Sequence, residues 1–186
     1  MIPACDAWAE IRRAIAAHPQ KGSFLDVGGR DGRHAALAEG FRDYTILDLE
    51  PHGLYDQIRG DICALEPDLL PDGTIDVLFS TDLLEHVTDP PAAARTIGRL
   101  LKPGGLAITQ TLFAWDYHPR PVDYWRFTHA GLAYLFEQYG GLRTELAAYD
   151  AALRLEDLRG SGLLDRAGIV RRRLVKRKVL HIGRKP

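Results

Sequence analysis

The chain has 186 residues, with 24 Lys+Arg against 25 Asp+Glu and 46% hydrophobic content, which is the profile of one folded domain with a real core rather than a disordered or fibrous chain. No stretch approaches the roughly 18 uncharged residues of a membrane span, the opening MIPACDAWAEIRRAI has no secretory pattern, and Cys5 and Cys63 belong to no cluster of zinc spacing, so a reduced, cytoplasmic chain is expected. The near-neutral total hides a split: residues 160–186 hold nine basic side chains against Asp165, a net of +8, and the first 159 residues carry −9.

Along the chain, short apolar runs alternate with longer mixed segments. Trp8, Ile11 and Ile15 form a helical stripe ended by His18-Pro19, and Ser23 to Val27 is a short strand running into glycines. Arg33 to Gly40 reads as a helix, Tyr44 to Leu49 as a second strand, Ile75 to Ser80 as a later one, and Pro90 to Leu101 as a helix. After the turn signal Lys102-Pro103-Gly104-Gly105 comes a strand at Leu106 to Leu112. The remainder reads as a helix over residues 129–140, a strand at Arg143 to Tyr149, a helix through about Asp165 to Arg173, and a last strand at Val179 to Ile182. Strands separated by helices predict a parallel sheet covered on both faces.

Between the first strand and the following segment stands Asp26-Val27-Gly28-Gly29-Arg30-Asp31-Gly32. Small residues let a backbone approach a ligand, although a tight strand-to-helix connection has the same composition. Asp48, 22 positions after Asp26, ends the second strand, where nucleotide-binding sheets place the carboxylate that accepts two ribose hydroxyls. Asp61-Ile62 follows in a loop.

These segments resemble the class I S-adenosylmethionine-dependent methyltransferases, in particular the small type 11 group. FLDVGGRDGRHA is similar to their first motif, YTILDLEP to the second, GDICALEPD to the third, IDVLFSTDLLEHVTDP to the fourth, and LLKPGGLAITQTLF to the fifth-strand motif. The resemblance implies a Rossmann-like α/β sheet of seven mostly parallel strands, helices on both faces, and a closing antiparallel hairpin. It implies S-adenosylmethionine as cofactor, with Asp26, Gly28 and Gly32 framing its methionine part and Asp48 on the ribose. Asp61 and Ile62 take the adenine, and Ser80 and Leu83 lie near the sulfonium. Arg30 stands where the family has its middle glycine, which sets the loop apart from a dinucleotide GxGxxG.

Methyl transfer from a sulfonium needs a positioned acceptor and a proton acceptor, and no covalent nucleophile. The segment from Ala114 to Thr128 packs five aromatics, His118 and four charges into 15 residues just after the fifth strand, where a loop overlies the crevice of an open sheet. In one reading it is a packed lid with Arg126 salt-bridged to Asp123. In the other, His118 is the base, Asp123 its rival, Arg126 an orienting donor, and the aromatics form walls. In methyltransferases that resemble this chain, a DYWRFT-like stretch accompanies sugar or cell-surface polysaccharide modification. The acceptor is therefore expected to be a hydroxyl of a sugar, glycolipid, lipid-linked sugar or other small polar molecule.

If the segment after Ser80 is helical, Asp82, Glu85 and His86 share a face at metal-ligand spacing. Only His118 offers a further ligand, so no metal is assigned, and activity is expected to survive chelation. The basic end is either a solvated face or a membrane-surface contact. Nucleic acid as a partner is disfavoured by the acidic body and the lack of a binding motif. Residues 1–186 are read as one methyltransferase domain, its cofactor-binding half about 20–112 and its acceptor loop and C-terminal part about 113–186. Two rival functions stay open, a nucleic-acid or protein methyltransferase and a non-catalytic S-adenosylmethionine-binding module.

Overall fold

The computed structural model of the protein describes residues 3–53, 55–119, 121–151 and 177–186. In chain order the elements are β1 (Ala4–Cys5), α1 (Ala7–Ala17), β2 (Ser23–Val27), β3 (Asp43–Asp48), β4 (Asp56–Arg59), β5 (Ile75–Thr81), α2 (Pro90–Leu100), β6 (Leu101–Ala114), α3 (His129–Gln138), β7 (Arg143–Asp150) and β8 (Arg177–Arg184). The strands form one sheet in the order β1-β7-β8-β6-β5-β2-β3-β4. β8 lies antiparallel between β6 and β7, and the other pairs are parallel.

The expected architecture is present, with the two-residue β1 added at one edge. β4 went unrecognised in the sequence because DQIR is too short and polar to show alternation. The helix expected from Asp165 to Arg173 lies outside the described residues.

Alternation of side chains across the pleat builds two cores. On one face Leu25, Val27 and Leu78 pack with Leu84, Ala94, Ile97, Leu132 and Phe136, which seats α2 and α3. On the other, Phe24, Val77, Phe79 and Ile108 meet Ala7, Ile11 and Ile15 of α1. Each helix starts on a side-chain cap: Asp6 accepts from Ala9 N–H, Asp89 from Ala92 N–H, and Thr128 from Gly131 N–H. The contact between α2 and the end of α3 is so close that a Cβ at Gly98 would lie 1.9 Å from the Gly140 carbonyl.

One expected element is corrected. Arg33 to Gly40 is not an α-helix; only Ala35–Ala38 is helical, as a 3₁₀ turn. The link from Gly32 to β3 is short, and it closes with i to i−3 bonds, from Ala35 N–H to Gly32 O and from Leu37 N–H to His34 O. A surface cavity of about 450 Å³ opens beside α1, lined by Trp8, Arg12, His34 and Leu37 among others.

Candidate active site

β2 runs to β3 on one side, and β5 returns to the other side of β2, so the carboxyl ends of β2 and β5 flank the point where the winding reverses. In such sheets that crevice receives the ligand. Two walls rise from it.

The first wall is the glycine loop. Gly28, Arg30 and Gly32 have φ of +78°, +46° and +77°, the left-handed region on alternate residues. Arg30 is thus a non-glycine residue held in the left-handed region that favours glycine. Its N–H donates to Asp48 Oδ2 at 3.2 Å, and its carbonyl accepts from His52 N–H. Asp48 Oδ1 accepts from Glu50 N–H at 3.0 Å, which leaves each oxygen a second lone pair for a ribose hydroxyl.

Asp26 is wholly buried beneath the loop, where Tyr44 donates to it at 2.7 Å and His34 Nδ1 lies 3.3 Å away. A Cβ on Gly29 would sit 2.4 Å from the Asp26 carboxyl, so the acid shapes the loop from below. Burial, then the Asp26 hydrogen bond, push the Tyr44 hydroxyl well above its ordinary pKa and keep it a donor. Leu83 lies over Gly28, and Tyr55 over Gly32. Gly60 N–H bonds to Asp48 O, which starts the Asp61 loop beside Asp48; there Asp61 accepts from Cys63 N–H and Ile62 is buried in the core. Ser80 is buried at the end of β5 and donates to Thr109 at 3.2 Å.

The second wall is the turn after β5 with the loop after β6. Residues 82–87 form a turn and not a helix, which corrects the shared face expected for Asp82, Glu85 and His86. Asp82 has φ of +51°, and its carboxylate faces Lys178 of β8 at 2.7 Å. Glu85 points inward, fully buried, and its Oε2 accepts from Thr111 at 2.6 Å. Burial pushes the Glu85 carboxyl pKa up, while the Thr111 hydroxyl pulls it back.

The loop is lashed to this turn. Tyr124 and Trp125 N–H donate to Glu85 O, the Trp125 indole donates to Val87 O at 2.8 Å, and His86 Nδ1 meets Val122 O at 2.7 Å. Glu85, His86 and His118 thereby converge, with one candidate ligand atom from each lying within 4.8 Å of the others. The two imidazoles meet edge to face at 5.0 Å.

The Arg126–Asp123 salt bridge expected in the lid reading is present. Arg126 grips both oxygens of an Asp123 side chain that is 1% exposed, and also donates to Trp115 O. Arg126, against the opposing effect of burial and helped by the His118 N–H, holds the Asp123 carboxyl well below the usual carboxylate range. His118 Nδ1 lies 3.0 Å from Asp123 Oδ2 but out of line for a hydrogen bond. Tyr117, Tyr124 and Trp125 present 69%, 50% and 42% of their surface outward.

Sequence reading missed Lys178, which appeared only as part of a basic run, while Glu85 reads both as a helix-face acid and, with His86, as a residue that caps and orients this turn. The basic end is less free than its charge implied, since Lys178 pairs with Asp82 and Arg184 with Glu145. The positions from Arg166 to Lys176 lie outside the described residues. Among the described residues no helix is long and apolar enough to cross a membrane.

The residues of the first wall fit a nucleoside bearing a sulfonium side chain: a left-handed loop open to close approach, a two-oxygen acceptor at the strand end, and an apolar cover in Leu83 with Leu49 exposed at 55% beside Asp48. A relative from Mycobacterium sp. (strain JLS), an uncharacterized methyltransferase, is 32% identical over 110 residues, covering 55% of this chain and 42% of its own. A ubiquinone biosynthesis O-methyltransferase from Xanthomonas oryzae pv. oryzae (strain PXO99A) is 36% identical over 101 residues, 47% of this chain and 42% of that one. This chain thus spans about two fifths of the length of the curated relatives it matches. In fold it is similar to an S-adenosylmethionine-dependent methyltransferase from Mesorhizobium loti, with a TM-score of 0.67 at 17% identity over 97% of this chain and 98% of that one. The family profile described as "Methyltransferase domain" matches residues 4–150, and with the sheet order and loop geometry this makes the chain a member of the class I S-adenosylmethionine-dependent methyltransferase family.

Proposed function

We propose that the protein transfers a methyl group from S-adenosylmethionine to a hydroxyl oxygen of a sugar, glycolipid or other small polar acceptor. The observation that carries this reading is that two walls meet at one crevice, a left-handed glycine loop joined to Asp48 on one side and a histidine-bearing loop tied to the β5 turn on the other. When bound, S-adenosylmethionine supplies an electrophilic methyl group on a good leaving group.

On the first wall Gly28 and Gly32 admit the methionine part, Asp26 supports the loop, and Asp48 accepts from the ribose. Asp61 takes the adenine amino group, Ile62 and Leu83 cover apolar surface, and Ser80 closes the floor. On the second wall His118 takes the acceptor proton. Asp123, already engaged by Arg126, positions the loop and ranks behind His118 as base. Arg126 keeps its charge beside the acceptor. Aromatic faces at Tyr117, Tyr124 and Trp125 suit the apolar face of a sugar ring. The Xanthomonas relative, named for O-methylation, supports an oxygen acceptor. A lipid-linked acceptor would add membrane-surface contact through the basic residues before β8.

Labelled methyl transfer into a cell extract, sorted into sugar, lipid, RNA and protein fractions, tests the proposal. Label in sugar or glycolipid is expected. Label in RNA or protein would overturn the acceptor class, and S-adenosylhomocysteine binding with no label in any fraction would make the chain a binding module.

A further inference from the structure

A proton taken from an acceptor hydroxyl leaves its bonding pair on oxygen and puts a positive charge on the imidazole that receives it. That charge needs a counter-charge in a partly buried site. Asp123 Oδ2 lies 3.0 Å from His118 Nδ1, but Arg126 closes on both Asp123 oxygens, so that charge is already shared with the guanidinium. Asp82, on the other side, is held by Lys178 at 2.7 Å. Glu85 is different. It is fully buried, Thr111 bonds one oxygen, and Oε1 has no hydrogen-bond partner among the described residues. Two imidazoles converge on it, and the Arg126 guanidinium, already closed on Asp123, acts on it from further along the loop.

We infer that Glu85 supplies the counter-charge for the imidazolium that forms on His118, acting through the His86–His118 ring pair as a positioning residue for proton removal. The inference rests on the assignment of His118 to the acceptor side. His86 is fixed for this part, since its Nδ1 is engaged by the Val122 carbonyl and the other ring nitrogen is left to the cluster. Among the described residues, the groups that face Glu85 are Asp82 and His86 on its own turn and His118 and Arg126 from the loop, with Lys178 of β8 engaged by Asp82, Asp123 engaged by Arg126, and Thr111 as the hydroxyl donor from β6. Burial, and after it the Asp82 charge, favour the neutral carboxyl, while the Thr111 hydroxyl and His86 favour the ionised one, and a positive charge on the neighbouring ring adds to the second set.

The test is an NMR titration of the histidine ring protons in the parent chain, E85Q and T111V, each with S-adenosylhomocysteine. E85Q keeps the shape and removes the charge, so the midpoint of the His86–His118 pair should move to lower pH by about one unit. T111V leaves Glu85 in place but more readily neutralised, and should give a smaller shift of the same sign. Once an acceptor is found, E85Q should slow single turnover by about 10- to 100-fold with cofactor affinity within about twofold. Midpoints that stay where they are in both variants overturn the inference. So does saturable displacement of both rings by micromolar Zn²⁺ or Mg²⁺ in the parent, which would make the cluster a metal site. Calorimetry on the same samples keeps the two claims apart: no S-adenosylhomocysteine binding in the parent would sink the methyl-transfer reading, whereas unmoved midpoints with intact binding would sink only the role of Glu85.

Discussion

The glycine loop follows the carboxyl end of β2 and the aromatic loop that of β6, and the two are held in different ways. The first is fixed by its own backbone conformation and by Asp48, 18 positions from Arg30. The second is fixed by side chains reaching 26 to 38 positions away, from Thr111 to Glu85, His86 to Val122 and Trp125 to Val87. A wall built from local conformation repeats as a motif and suits a constant ligand. A wall built from distant ties can change its lining without changing the fold, which suits the variable partner.

The largest separation of the two walls should come from His118→Ala. Loss of a general base slows single-turnover transfer by about 10²- to 10⁴-fold and leaves S-adenosylhomocysteine affinity nearly intact. Equal losses in rate and cofactor affinity would mean that the loop belongs to the cofactor wall. Next is Asp48→Ala, expected to weaken S-adenosylhomocysteine binding by about 2 to 4 kcal/mol at about 1 to 2 kcal/mol for each charge-assisted bond. Isothermal calorimetry reads this directly, and unchanged affinity removes Asp48 from the ribose.

The third concerns β8, the strand that carries Lys178 to the aromatic side. His181 on that strand is fully buried, stacked on Phe136 at 4.6 Å, with burial pushing its pKa down to about 4. The folded chain therefore keeps this ring neutral while the unfolded chain protonates it below about 6.5. The stabilisation is complete above that pH and is lost as pH falls toward 4, about 2 kcal/mol by pH 5. Thermal melts from pH 7 to 4 should show this slope, and His181→Gln should lose it. The smallest effect belongs to the glycine loop: Arg30→Gly removes a left-handed side chain and, set against the added freedom of the unfolded chain, should gain up to about 1 kcal/mol in urea unfolding. A loss of stability would mean that the Arg30 side chain, not its backbone, ties the loop.

Much of the first wall was legible because its determinants are local. Ser23 to Val27 forms β2 as expected, Asp48 ends β3, and Gly28 and Gly32 take positive φ where the motif needs them. The helix assigned to Arg33 to Gly40 failed for a reason outside its own residues. Its composition is helical, but the link to β3 is too short, and His34 is drawn toward Asp26. The second wall was legible only as a list of unusual residues. Which acid Arg126 holds could be read from a three-residue spacing, and that contact is present.

By itself, then, the sequence determined the alternation of strands and helices, the loop that follows β2 and the acid that ends β3, because these depend on pleat periodicity, left-handed backbone and spacing within a single βαβ unit. Tertiary structure alone decided that Asp82 turns to Lys178 while Glu85 turns inward to Thr111, His86 and His118. Neighbouring acids in one short turn can point either way. Burial under a distant loop and the arrival of β8 between β6 and β7 selected one, and those are properties of the assembled sheet.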